Sequence, residues 1–284
     1  MIYLVYNPLA NSGKGAETKD AALAHLSKIY EGVEVKVLDA ISTEIGDLLK
    51  ELKKDDKVVI LGGDGTLMRF ANKVYGKNLP CPFYLYRAGT GNDFLRDVEK
   101  EVKDDMVELN KYLKNLPVIE VNDKSYVYLN GIGYGIDGFV CEIADKMRAE
   151  GKTNINYASL SVKNLLHGYK CPSAKITIDG KSKKYKKVWL ASTMNGRFYG
   201  GGMIPVPDQD RLSDKVSLFV FHDSGKLKTL FTFPKLFKGT HVNKKKIIDI
   251  MVGKDVTVEF SRPCALQIDG ETVLNVSKYH VYKK

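Results

Sequence analysis

The 284-residue sequence predicts two domains: an α/β domain with helices on both faces of a parallel sheet over residues 1–115, and an antiparallel, β-rich domain over 116–284. Three observations predict it. The first part alternates apolar runs at strand spacing with runs at helical spacing. Near residue 116 that alternation gives way to short strands separated by turn signals. Neither a repeat nor a low-complexity linker separates the parts, so the two domains abut and the cleft between them is the expected active site.

In order, "IYLVY" (2–6) is a β-rich run, and "ETKDAALAHLSKIY" carries Leu23, Leu26 and Tyr30 at helical spacing. "VEVKVLD" (33–39) alternates as a strand. "STEIGDLLKELKK" (42–54) opens on a Ser/Thr cap and sets Ile45, Leu48, Leu49 and Leu52 on one face. "KVVIL" (57–61) is a buried strand, Leu67, Phe70, Ala71 and Val74 mark a helix, and "CPFYLY" (81–86) is the next strand. Beyond residue 116, "LPVIEVNDKSYVYLNGIGYG" reads as two strands turning at Asn122-Asp123, and Asp179-Gly180 and Asp269-Gly270 are hairpin signals. Helices are expected at 138–150 and 154–167, with a third within 226–237.

The net charge of +10 lies in the second part: residues 116–284 hold 27 Lys/Arg against 16 Asp/Glu, and residues 1–115 hold 17 against 18. Such a surface suits anionic lipid or nucleic acid, but no DNA- or RNA-binding motif is present, so nucleic acid is not expected. No apolar run reaches the roughly 18–20 residues of a membrane span, and "MIYLVYNP" lacks the flanks of a secretory signal. The four cysteines form no CxxC, which fits a reduced, cytoplasmic protein. A homodimer is compatible with the sequence, which does not fix the oligomeric state.

Three strands of the first part run into small-residue turns: "NPLANSGKG" (7–15), "GGDGT" (62–66) and "AGTGND" (88–93). Glycine lets the backbone approach a ligand, and turn N–H groups at a helix start bind phosphate oxygens. Asp64 would repel a phosphate there unless a cation such as Mg²⁺ lay between them; a second reading, Asp64 as the cap of the following helix, stays open. "NSGKGA" is not a P-loop. Gly133, Gly135 and Gly138 match GxGxxG, but no strand ending in an acid follows about 20 residues later, so a dinucleotide site is not expected.

These turns, taken in order with "YLNGIGYGID", "STMNGRFYGGGMIPVPDQD" and "LQIDGE", resemble the diacylglycerol kinase catalytic-domain superfamily. That superfamily includes bacterial soluble diacylglycerol kinases, YegS/BmrU-type lipid kinases, and sphingosine and ceramide kinases. "GGDGT" is shared with NAD kinases, and "GTGNDFLR" is the more discriminating motif. The resemblance implies a Rossmann-like α/β domain followed by a β-sandwich, and a kinase that uses ATP and Mg²⁺ to phosphorylate the hydroxyl of a diacylglycerol-like lipid. It places Asn7, Lys14, Gly62, Gly63, Gly65, Thr66, Gly89, Thr90 and Asn92 along the nucleotide. It gives Asp64, Asp93 and Glu271 to the catalytic Mg²⁺ and makes Asp269 the general base. Asp208, Asp210 and Asp214 fall near a "DGxLD" segment that in some members holds a structural metal, Asp210 and Asp214 being the candidate ligands; Arg211 and Ser213 depart from that pattern. Arg87, where many members carry an apolar or proline-containing approach, is read as facing water, with a phosphate contact as the other reading.

From the residues alone, Asp269-Gly270 is equally a hairpin turn, and the relative direction of Asp269 and Glu271 stays open. A lipid substrate requires approach to a membrane. "KSKKYKK" (181–187) and "KLKTLFTFPKLFKGTHVNKKK" (226–246) are the candidate contacts with an anionic surface. For the first, a lysine-protected sheet edge is the other reading, and for the second a packed helix. NAD kinase, or a silent protein that binds nucleotide or anionic membrane, are the alternative functions.

Overall fold

Four parallel strands and one antiparallel edge strand form the sheet of the first unit, in the order β2-β1-β3-β4-β5. They are β1 (Ile2–Tyr6), β2 (Val35–Asp39), β3 (Lys57–Leu61), β4 (Phe83–Tyr86) and β5 (Met106–Glu108). The computed structural model describes residues 1–8, 15–88, 92–152, 155 and 157–284, and separates into units Met1–Leu116 and Pro117–Lys284. The antiparallel β5 makes the sheet mixed, where the sequence suggests a purely parallel one. Ile2, Leu4, Val59 and Leu61 meet Ala22 and Leu26 of the helix Gly15–Ile29 in a buried cluster, as the apolar spacing requires. The helix expected to open on a Ser/Thr cap instead runs Ile45–Glu51, with Glu44 at the cap position and no side-chain cap bond.

The strand order reverses between β1 and β3. In an open α/β sheet the crevice beyond the carboxyl ends at such a switch point is where ligands bind. Asn7 follows β1 there, and Gly62 to Thr66 follow β3.

The second unit is a ten-stranded antiparallel sheet folded upon itself. Its strands are β6 (Val118–Val121), β7 (Lys124–Val127), β8 (Gly131–Gly135), β9 (Ala174–Ile178), β10 (Lys181–Tyr185), β11 (Leu190–Met194), β12 (Val216–Phe221), β13 (Ile248–Gly253), β14 (Asp255–Ile268) and β15 (Glu271–Tyr282). The start of β14 pairs with β9 and its end with β8, and register shifts between Glu259 and Leu266 mark the bend between them. Bulged strands that change partners are how one sheet becomes two packed layers. Tyr134 stacks on Phe260 at 3.8 Å across this core.

All three hairpin signals are two-residue turns with positive φ at both central residues: Asn122-Asp123 (47° and 59°), Asp179-Gly180 (46° and 79°) and Asp269-Gly270 (45° and 94°). That is the geometry which matches the twist of paired strands. Helices run Ile136–Ala149 and Tyr157–His167, and Lys226–Thr232 continues as a 3-10 turn, Phe233–Lys238. The glycines of "GIGYGIDG" serve packing: a Cβ on Gly133 would meet Asp137 Oδ2 at 1.8 Å, and one on Gly138 would meet Ala265 O at 2.1 Å. The lysines of β10 are exposed, and β10 pairs only with β9; Lys183 is tied to Asp249 at 2.6 Å. Their geometry is that of a charged sheet edge that resists further pairing.

Candidate active site

The first group of site residues is assembled by the register of β1, β3 and β4. Tyr6 lies opposite Leu61, and Leu61 opposite Tyr86, so the turns after these strands leave from one level. Asn7 N–H donates to Leu61 O at 3.2 Å, and Asn7 Nδ2 to Thr66 Oγ1 at 2.9 Å. A Cβ on Gly62 would lie 2.6 Å from the Thr66 side chain, so only glycine admits that contact. Gly63 and Gly65 face open space, which leaves the turn approachable by a ligand.

Asp64 does not cap the helix Asp64–Val74 with its side chain. Its Oδ2 accepts from Asp93 N–H at 2.8 Å and its Oδ1 from Phe94 N–H at 3.1 Å, at the first turn of the helix Asp93–Asp97. The carboxylate therefore closes the start of a helix 29 residues further on. Asn92 caps that same helix through Oδ1 to Leu95 N–H at 2.9 Å. The "GGDGT" turn and the start of the helix at Asn92-Asp93 thus form one floor, fixed by two charge-assisted bonds. Asp93 is buried within it. Lys14, Gly89 and Thr90, expected along the nucleotide, lie outside the described residues. Arg87 binds Glu99 at 2.8 Å and approaches Asp105 at 3.8 Å, an ion pair that lies exposed to water.

Beside Asn7 and Thr66 opens a cavity of about 240 Å³, with Val5, Ala40, Ile41, Ile45, Ile60 and Phe70 as apolar walls and Arg69 and Lys73 along one side. Arg69 and Lys73 are one helical turn apart on the helix that Asp64 begins. The apolar spacing of that helix draws the eye to its buried face, and the sequence reading passed over this cationic pair.

The second group belongs to the second unit. Asp269 occupies the β14–β15 turn, and its carboxylate accepts three backbone N–H bonds: Leu129 at 2.6 Å, and Asn130 and Gly131 at 2.9 Å each. Of about four acceptor directions on a carboxylate, the backbone takes three. Glu271 opens β15 and is exposed. The two acids sit in different surroundings, which the i, i+2 spacing left open.

Gln267 Oε1 accepts from Gly270 N–H at 2.7 Å, and its Nε2 donates to Asp137 Oδ2 at 2.9 Å. Burial pushes the Asp137 carboxyl up to about 6, against the bonds from Gln267 and Tyr199. An acid perturbed in this way, bound next to the catalytic candidate, is itself a site candidate. The motif "GYGID" contains it, but nothing in the spacing singles it out.

Among the described residues, no group of three or more His, Cys, Asp or Glu could hold a metal ion. Mg²⁺ needs only one or two carboxylates when phosphate oxygens and water complete its shell. Asp64 and its neighbour Asp93 fit that requirement, since the bond from Asp93 N–H to Asp64 brings two acids to one place. Asp210 and Asp214, the candidate ligands of a structural metal, hold other partners. Asp208, Asp210 and Asp214 are exposed; Asp214 pairs with Lys254 at 2.5 Å, and Asp210 Oδ1 accepts from Leu212 N–H at 2.9 Å. Arg211 points inward and is buried, where the resembling segment has glycine.

Residues 1–121 match the family model of the diacylglycerol kinase catalytic domain, and residues 130–280 match that of the YegS C-terminal NAD kinase beta sandwich-like domain. A Staphylococcus epidermidis protein named a "Putative lipid kinase" is 30% identical over 252 residues, covering 81% of this chain and 78% of its own. A diacylglycerol kinase of Mycobacterium tuberculosis is 24% identical over 252 residues, covering 85% and 79%. A crystal structure of a diacylglycerol kinase from Bacillus anthracis shares the fold with a TM-score of 0.64 at 16% identity, covering 99% of this chain and 93% of that one. Yeast NADH kinase shares it more distantly, with a TM-score of 0.50 at 13% identity, covering 100% and 80%.

Proposed function

Because the chain belongs to the diacylglycerol kinase catalytic-domain family and carries a YegS-type C-terminal domain, we propose that it transfers the γ-phosphate of ATP to the hydroxyl of a diacylglycerol-like lipid. The observation that carries this reading is the clasp made by Asp64. It joins the glycine turn after β3 to the helix start at Asp93, beside the strand-order switch point. Such a floor offers N–H groups to phosphate oxygens and carboxylates to a cation that accompanies them.

In this reading Asn7, Gly62, Gly63, Gly65, Thr66 and Asn92 line the nucleotide. The cavity beside them takes its base, with Arg69 and Lys73 offering positive charge at the edge. Asp64 and Asp93 hold Mg²⁺, which when bound would neutralise charge on the transferring phosphoryl group. Asp269, pinned as a carboxylate by three N–H donors, orients the lipid hydroxyl and takes its proton. Glu271 adds negative charge to the same turn. A phosphoryl transfer of this kind depends on positioning and electrostatics more than on a strong base.

The acceptor lies in a bilayer, and no helix among the described residues is long and apolar enough to cross one. Leu227, Phe231 and Phe237 are 68%, 73% and 43% exposed, an unusual display of large apolar groups for one short segment. Seven lysines and no acid lie between Ser224 and Ile248 around them. We assign this segment as the face that settles on an anionic lipid surface, with each lysine near the headgroups adding about 1 kcal/mol.

The deciding experiment incubates the protein with radiolabelled ATP, Mg²⁺, and a panel of diacylglycerol, phosphatidylglycerol, sphingoid and polyprenol lipids together with NAD. Label in a lipid product is expected. Label in NADP with none in lipid would favour the NAD kinase alternative and overturn the proposal.

A further inference from the structure

Lys283 ends the chain's path in the second unit with a side chain that is 5% exposed. Its backbone N–H is pinned to Lys254 O at 3.0 Å. The ammonium donates to Asn195 Oδ1 at 2.8 Å, to Arg211 O at 3.3 Å, and to Ser213 O. A lysine has three N–H donors, and here each meets a neutral oxygen. Among the described residues no carboxylate hydrogen-bonds it: Asp210 and Asp214 attract it from a distance, while Asp214 is engaged by Lys254 and Asp210 by the backbone of Leu212. A buried ammonium is costly unless its donors are satisfied, and a cage of carbonyl oxygens is the coordination sphere of a hard cation.

The cage leads to the β14–β15 turn in two steps. Asn195, which accepts from Lys283, donates through Nδ2 to Leu129 O at 2.9 Å. Arg211, whose carbonyl also accepts from Lys283, donates to Leu129 O and Asn130 Oδ1, each at 2.9 Å. Leu129, Asn130 and Gly131 are the residues whose N–H groups hold Asp269. Two buried cations therefore stand behind the loop that aims the proposed base.

We propose that Lys283 is a tethered cation: it fills the place beside residues 210–214 that the resemblance gives to a structural metal, and it positions Asp269 through Asn195, Arg211 and the 129–131 backbone. This half of the site is built without a divalent ion. The proposal rests on the kinase reading for the role of Asp269, but the cage and its connection to residues 129–131 stand apart from it.

The test compares the wild-type full chain with Lys283→Met, which keeps most of the apolar stem and removes the charge. Three readouts are expected. Without nucleotide, the wild-type melting temperature is the same in EDTA as in excess Mg²⁺, whereas Lys283→Met melts lower and Mg²⁺ does not restore it. Amide exchange at Leu129, Asn130 and Gly131 quickens in the variant, and amides of the β1–β3 pair do not change. In phosphoryl transfer, kcat falls roughly 10- to 100-fold, the scale of a misaimed group, with KM for ATP unchanged. The Asp269→Asn, Lys283→Met double variant is no slower than Asp269→Asn alone.

Asn195→Leu, which removes one acceptor of the cage and the bond to Leu129, gives the same exchange pattern and covers the case in which Lys283→Met does not fold. A wild-type chain that loses melting temperature in EDTA would overturn the proposal, because a metal would then hold the segment. So would a folded Lys283→Met with unchanged exchange at 129–131, or a double variant in which the losses multiply. Absence of any lipid phosphorylation in the wild type would sink the kinase reading alone and leave the exchange and chelation results to judge the cation.

Discussion

Asp64→Asn tests the clasp directly. The asparagine keeps the shape and one acceptor oxygen, but replaces the other by an amide that can only donate. One of the two N–H groups, at 2.8 and 3.1 Å in the native chain, then faces a donor. Hydrogen bonds to charged groups contribute about 1.5–3 kcal/mol. Losing one and weakening the other to a neutral bond predicts a loss of about 2–4 kcal/mol. Against a typical stability of about 5–15 kcal/mol the variant stays folded. At ordinary urea slopes its midpoint should drop by about 1 M or more, with the slope unchanged. The same substitution removes the charge offered to Mg²⁺, so turnover should fall by at least about 10²-fold, as when a group that stabilises transition-state charge is lost. Residual activity should depend less on Mg²⁺ concentration. Urea unfolding and a Mg²⁺ titration of initial rates read the two effects separately. A midpoint unmoved from wild type would refute the clasp as a stabilising contact, and turnover within a few-fold of wild type would refute its catalytic part.

Asp269→Asn should lose about 10²–10⁴-fold in kcat while ATP affinity, measured by equilibrium binding, is retained; survival of turnover within a few-fold would mean that another group takes the proton. Replacing Phe231 and Phe237 by serine should release the protein from vesicles of anionic lipid at a cost of up to about 1.5–3 kcal/mol for each ring that inserts, read by flotation, and equal recovery with neutral vesicles would reject electrostatic docking. Asp137 gives a pH prediction. Burial holds its carboxyl at about 6, above the ordinary aspartate value, so the folded state binds this proton more tightly than the unfolded state does. The resulting contribution is present below the unfolded value and is lost as pH rises through about 6. Asp137→Asn should flatten that limb in urea midpoints measured between acid and neutral pH, and an unchanged limb would assign it to other groups.

What the sequence by itself determined is what local physics writes into it. The spacing of Leu67, Phe70, Ala71 and Val74 marks a helix that the structure places at Asp64–Val74, with those residues buried. Asn122-Asp123, Asp179-Gly180 and Asp269-Gly270 mark turns because few residue pairs accept positive φ twice in succession. The three glycine turns are visible as clusters of small residues at strand ends, and their order along the chain carried the family resemblance. Only the tertiary structure decided which distant groups those turns meet. Asp64 closes a helix 29 residues away, Lys283 reaches Asn195 across 88, and Gln267 links to Asp137 across 130. Arg211 reads as a flaw in a metal motif until the fold turns it inward onto Leu129 and Asn130. Periodicity and turn chemistry report a residue's neighbours within a few positions, whereas the partner of a buried charge is set by strand order and register, to which every strand between them contributes.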